Sequence, residues 1–279
     1  MSPFTRLRRH PWRSATAAAV LAGAVLWTLP GRAQTEGAAP TAQPVHARSA
    51  ALAAARRTMD PARLDAFLVE QRARAAASDD PAEWRVLAQA CLERVLLASS
   101  RFGMAVARPT FPRPPQLVLD LLAEGEAAVA RARELGDRDS DLPRIEAGLL
   151  GNRIDGALAA IRFGSKVDAL IDEALRLDPG NAHAAVARGC RLVFAPKWLG
   201  GDPQRARELF LAAAEALPDD ERPLVFAAFA AHVLGDASGA REALARAVAR
   251  NPANEYAREV ARRLAAGEAE PFERDLPPR

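Results

Sequence analysis

A chain of 279 residues that is 49% hydrophobic but only 5% aromatic, with alanine supplying much of the apolar content, suits helices packed through small side chains. It argues against a β-sandwich, whose strands favour β-branched and aromatic residues. The formal charge of +3 comes from residues 1–33, which carry five arginines (Arg6, Arg8, Arg9, Arg13, Arg32) and no acid; taking five from 38 leaves 33 basic against 35 acidic residues, a charge of −2, and a nucleic-acid role loses its electrostatic support.

Residues 1–33 have the three parts of a secretory signal: charged Arg6 to Arg13, apolar Ala15 to Leu29, then Pro30-Gly31 and a small-residue site at Gly31-Arg32-Ala33. Cleavage is expected after Ala33, by the Sec route, which places the mature protein in a bacterial periplasm. The alternative is an uncleaved anchor, but the apolar run is short for a span, so no integral membrane segment is expected after signal removal. Residues 34–48, rich in Ala, Thr, Gln, Gly and Pro, read as a flexible linker. A helical domain is expected over 49–266, with a first helix near Ser49. Asp60-Pro61 and Asp80-Pro81 are helix starts, Asp as N-cap and Pro at the first position, predicting helices over 61–77 and 81–100. Four prolines between Phe102 and Pro115 predict a loop. Helices follow over 117–135, stopping at Gly136, and over 142–161, with a turn at Phe163-Gly164-Ser165. Further helices are expected near 166–177, 181–194, 203–217, 221–234, 237–250 and 253–266. The acidic, proline-rich tail over 267–279 is expected to fray. No period-2 strand pattern appears.

Pro179, Pro218 and Pro252 each close one helix–turn–helix phrase, 39 and 34 residues apart; the excess of five lies in an insertion around Pro196-Lys197-Trp198-Leu199. With Pro252 as the closing residue, Leu224, Ala227, Ala228 and Ala231 take the packing positions of a first helix, and Ala240, Leu244 and Ala247 those of a second. Gly189, Ala206, Phe210 and Ala213 do so one repeat earlier, Ile171 and Ala174 before that, and Trp84, Leu87, Ala88 and Cys91 near the front. A 34-residue period of this kind resembles the tetratricopeptide repeat, over roughly 61–266, most closely from 165 to 252. The resemblance implies an all-α, right-handed α-solenoid of about ten helices. More narrowly, Ala174-Leu175-Arg176-Leu177-Asp178-Pro179-Gly180-Asn181 with Phe194-Ala195-Pro196-Lys197-Trp198-Leu199-Gly200-Gly201-Asp202 resembles exported bacterial repeat proteins that include the T component of TRAP transporters. That likeness implies a periplasmic scaffold that self-associates and docks a solute-binding protein as a transporter accessory.

Under this register the concave, partner-facing residues are Arg85, Gln89, Asn152, Arg153, His183, Val186, Cys190, Arg222, Val225, Phe229 and His232. A groove of apolar and arginine character suits an extended peptide or an acidic helix of another envelope protein. In the insertion, Lys197 and Trp198 are a second partner-binding candidate, although Trp198 could equally fold back over its own repeat. Leu199-Gly200-Gly201-Asp202 lacks the Lys-Ser/Thr pair of a phosphate loop and reads as a glycine turn before an Asp-capped helix. His183 and His232 alone do not make a metal site, and no HExxH or CxxC is present. Cys91 and Cys190, two or three repeats apart, are too distant for a disulfide and read as small buried hydrophobes. No Ser/His/Asp set has a recognisable context, and Asp219-Asp220 reads as a helix start. The expectation is therefore a non-enzymatic binding scaffold without cofactor, the alternative being a chaperone or assembly factor for envelope proteins. An enzyme would require a polar pocket with converging titratable groups.

Overall fold

The computed structural model describes residues 45–99, 114–154, 157–195, 197 and 200–272. The proposed signal peptide, the linker up to 44, the proline-rich stretch 102–113, Pro196, Trp198, Leu199 and the tail from 273 lie outside the described residues. Eleven helices and no strand occur among those described: α1 (Val45–Arg57), α2 (Pro61–Ala76), α3 (Pro81–Ser99), α4 (Gln116–Glu134), α5 (Asp141–Gly151), α6 (Ala157–Leu177), α7 (Ala182–Phe194), α8 (Pro203–Ala216), α9 (Arg222–Val233), α10 (Ala237–Arg250) and α11 (Glu255–Ala265). None of these helices is long and apolar enough to cross a membrane.

The helix starts follow from the predicted caps. The Asp60 carboxylate accepts from the Ala62 amide, Asp80 from Ala82, Asp202 from Arg205 and Asp236 from Gly239, at 2.8–3.0 Å. Asn181 and Asn254 cap α7 and α11 in the same way. At the C-terminal ends of α4 and α9, Gly136 and Gly235 adopt φ of 87° and 77°, which L side chains resist. Each lets the next amide reach back, Asp137 to the Ala132 carbonyl and Asp236 to that of Ala231, closing a Schellman motif.

Two boundaries differ from expectation. The helix expected over 142–161 ends at Gly151, and the turn lies at Asn152–Ile154; α6 then runs unbroken through Phe163-Gly164-Ser165. A single glycine costs a helix only about 1 kcal/mol, and the apolar stripe Phe163, Val167, Leu170, Ile171 and Ala174 continues across it to pack on α5 and α7. The linker also ends earlier than expected, because residues 45–48 already belong to α1. Arg48 is buried there, with its guanidinium over the Phe67 ring and hydrogen-bonded to Gln71.

Consecutive helices pack on one another, most extensively α3 on α4, then α7 on α8, α8 on α9 and α9 on α10, and α5 on α6. Alternate helices also touch, α3 with α5, α5 with α7 and α7 with α9, so the first helix of each pair adjoins the next in one layer. The small residues expected at the crossings are where the packing needs them. Ala88, Ala174, Ala206, Ala228, Ala240 and Ala247 are fully buried, and Gly189 lies directly under the Phe210 ring. One apolar core joins α1 to α5, another joins α7 to α11, and Ala147, Leu150, Leu170 and Ile171 bridge them. Both cysteines are free thiols.

Helix α1 packs on α2 and α3, and its end meets the start of α9. The Arg56 guanidinium donates to both Glu221 oxygens at 3.1 and 3.2 Å. The Arg57 side chain donates to the carbonyls of Asp219 and Arg250, and the Arg57 carbonyl accepts from the Asn251 amide group. At the far end the expectation of a frayed tail fails for Pro271 and Phe272, which are buried; the Tyr256 hydroxyl donates to the Phe272 carbonyl at 3.2 Å.

A charged cavity beside the layer of first helices

Where α1 lies across the first-helix layer, a cavity of about 300 Å³ remains. Its wall combines α1 (Leu52, Arg56), α3 (Arg85, Val86, Gln89, Glu93), α5 (Asp141, Arg144, Ile145), His183 of α7, Leu217 to Asp220 and Arg222 of α9. Exposed Ser49 and Asp219 bring its rim to solvent. Local structure explains the wall. Arg85, Gln89 and Glu93 recur every four residues and so share one face of α3. Asp141 sits in the first turn of α5, and Asp220 and Glu221 immediately precede α9, where carboxylates are favoured by the helix dipole.

Most charges in this wall are paired. The Arg222 guanidinium takes both oxygens of Asp220, at 3.0 and 2.7 Å, and donates to Glu93 at 2.8 Å. Glu93 also accepts from the Gln89 amide at 2.7 Å. Arg85 donates to Asp137 at 2.6 Å and contacts Asp139 at 2.9 Å. Arg56 lies 3.6 Å from Asp220 in addition to its bonds with Glu221, which also accepts from Asn254. Arg144 donates through Nε to Asp141 at 3.0 Å, and Asn181 donates to the same oxygen at 3.2 Å.

These pairs set the protonation states. Burial alone would raise the Asp141 carboxyl, but Arg144, with the Asn181 hydrogen bond, outweighs it and holds it at about 2. Burial is likewise outweighed at Asp220 by Arg222 and Arg56, which hold it well below the usual range, and at Glu221 by Arg56, which lowers it. His183 moves in the disfavoured direction: burial, then Arg144 and Arg222, push it down to about 4 against the opposing pull of Asp141 and Asp220. It is neutral at pH 7.

The concave set expected from sequence divides into three. Arg85, Gln89, His183 and Arg222 line the cavity together. Val186, Cys190, Val225 and Phe229 belong to the apolar core of α7 to α11, where Val225 is fully buried and burial raises the Cys190 thiol to about 12. His232 and Phe229 both contact the Phe272 ring, tilted and edge-on respectively, with ring centres 5.4 and 5.3 Å away. Asn152 and Arg153 line neither place: they form the α5–α6 turn, Asn152 bonding the Gly148 carbonyl and Arg153 pairing with Glu126 of α4. Lys197 is exposed, and Trp198 lies outside the described residues. The turn at Gly200 is held by the Asp202 amide donating to the Leu192 carbonyl, before the Asp202 cap of α8.

Sequence reasoning missed Arg56, Glu93, Asp141, Arg144 and Asp220 as cavity residues. Asp141 and Asp220 were legible only as helix starts. Glu93 could have been found from its four-residue spacing to Gln89, but no local signal brings Arg56 to α9. No protein-family model matches the chain, and no curated protein matches it.

Proposed function

We propose that this is an exported, non-enzymatic scaffold of tetratricopeptide type that binds another protein of the cell envelope. The observation that carries the reading is the adjoining of α3, α5, α7 and α9 in one layer, which gathers side chains distant in sequence along one surface. The four crossing residues expected of such repeats support it, since Gly189, Ala206, Ala228 and Ala240 are all buried. The cavity does gather titratable groups, yet Asp141, Asp220 and His183 all titrate well below neutrality. Its carboxylates are tied to arginines, and His183, at about 4, is a weak base, whereas an efficient general base titrates close to the working pH. A transporter-accessory role rests on the resemblance of the 174–202 segment. The alternative of a chaperone for extended peptides has less support, because Phe272 already covers Phe229 and His232.

In-cell photocrosslinking tests the scaffold reading. A benzophenone amino acid at Asp219 on the cavity rim, or at Lys197 in the α7–α8 turn, is expected to capture one defined envelope protein, while the same probe at exposed Arg241 of α10 does not. Identical or absent adducts at all three sites would remove the proposal.

A further inference from the structure

We propose that the cavity between α1, α3, α5, α7 and α9 is a binding site for a free aliphatic α-amino acid, its carboxylate held by Arg144 and its ammonium by Asp141 and Gln89. This goes beyond the scaffold reading, because it requires no protein partner.

The argument starts from hydrogen-bonding capacity left unused in the wall. Arg222 and Arg56 spend their terminal amino groups on Asp220, Glu93 and Glu221. Arg85 spends its own on Asp137 and Asp139. Arg144 bonds only through Nε, leaving both terminal amino groups without a hydrogen bond among the described residues. A guanidinium fork with two free N–H edges takes a carboxylate in bidentate fashion. Two acceptors in the same wall are also unspent. Gln89 Oε1 is buried without a partner, an arrangement that costs about 1–3 kcal/mol unless something fills it. Asp141 bonds Arg144 and Asn181 through Oδ1, and its second oxygen accepts no side-chain hydrogen bond among the described residues. The unspent donor and one unspent acceptor are therefore on side chains that touch, at 3.0 Å. An α-amino acid carries its carboxylate and ammonium on one carbon, which matches adjoining partners.

Charge decides between ligand types. In the cavity wall four arginines (Arg56, Arg85, Arg144, Arg222) face four carboxylates (Glu93, Asp141, Asp219, Asp220), so its formal charges balance. A simple anion or a simple cation adds an uncompensated charge to that balance. A zwitterion satisfies both Arg144 and Asp141 and adds no net charge. Leu52, Val86, Ile145, Leu217 and Pro218 supply the apolar part of the wall, which offers an aliphatic side chain a surface. A volume of 300 Å³ corresponds to about ten liquid waters, enough for such a molecule. Neutral His183, which makes no side-chain hydrogen bond among the described residues, lies close enough to Arg144 and Asp141 to sense the ligand.

Isothermal titration of the dialysed full chain with L-leucine tests the site. One-to-one binding is expected, at least tenfold weaker for L-leucinamide, which lacks the carboxylate, and for N-acetyl-L-leucine, which lacks the ammonium. Arg144→Met and Gln89→Leu are each expected to weaken L-leucine binding tenfold or more with unchanged helical circular dichroism. In the wild type, L-leucine should shift the His183 ring-proton resonance. No binding of L-leucine, L-valine or L-isoleucine by the wild type overturns the proposal, as does equal binding of the two blocked derivatives. Either result is independent of whether crosslinking recovers a protein partner.

Discussion

His183 sits among Arg144, Arg222, Asp141 and Asp220, with the burial of its ring as the largest influence on it. Its folded value near 4 lies below the ordinary 6.5, so the unfolded chain takes up a proton between these limits and the folded chain does not. Stability carried by this residue is therefore complete above pH 6.5 and is lost as pH falls towards 4, by about 3 kcal/mol. Asp141, Asp220 and Glu221 act in the same direction but lower down: their folded values are depressed, so their contribution is present above the ordinary carboxylate range and is lost as pH falls through it to the folded values. The two limbs can be separated. His183→Asn should flatten the decline of the urea midpoint between pH 6.5 and 4 and leave the acid limb below 4 in place. An unchanged upper limb would show that His183 is solvated in the folded state.

At the scale of the element, the crossing of α7 and α8 turns on Gly189. A methyl group there would lie 2.5 Å from Phe210 Cε1, and Phe210 is fully buried, so its ring has no room to move away. Alanine is the better helix former by about 1 kcal/mol, yet overpacking of a closed crossing costs about 1–3 kcal/mol. Gly189→Ala is accordingly expected to destabilise by about 1–2 kcal/mol in chemical denaturation, against the sign of its helix propensity. A stabilised variant would mean that the crossing is looser than its packing indicates. α6 makes the opposite case, since Gly164 meets no neighbour and the helix passes straight through it.

For the whole molecule, contacts between segments distant in sequence tie α1 and the 271–272 segment to the later helices. Arg56 and Arg57 join α1 to residues 219–221 and 250–251, and Phe272 returns to cover Phe229. The first contact brings α1 to the cavity residue Asp220, and the second closes the apolar core of α7 to α11. Phe272 is only 3% exposed, and truncation of a buried phenylalanine costs about 3 kcal/mol. Phe272→Ala should lower the urea midpoint correspondingly and raise hydrogen exchange in the last turns of α9. A change below about 0.5 kcal/mol would place the 271–272 segment outside the cooperative unit.

The all-helical class, most helix starts and the crossing residues were legible in the sequence, because each depends on neighbours within one or two turns. An Asp before a Pro caps its own helix, and a small residue every few positions leaves room for the next one. The turn between α5 and α6 was not legible, because the Phe163-Gly164-Ser165 stretch is compatible with a turn or a helix and packing against α5 and α7 selects the helix. The cavity was legible in part: Arg85, Gln89, His183 and Arg222 fall at register positions expected on the concave face, which sequence periodicity reveals. Its other charges were hidden, because Arg56 meets Glu221 165 positions further along the chain and only the tertiary structure decides such a pair. By itself the sequence thus determined a stack of small-residue helices with acidic caps, since those are local energies. The tertiary structure decided that the arginine-bearing face of that stack is covered by α1 and becomes a charged cavity, because burial makes each of its charges find a partner or leave a place for one.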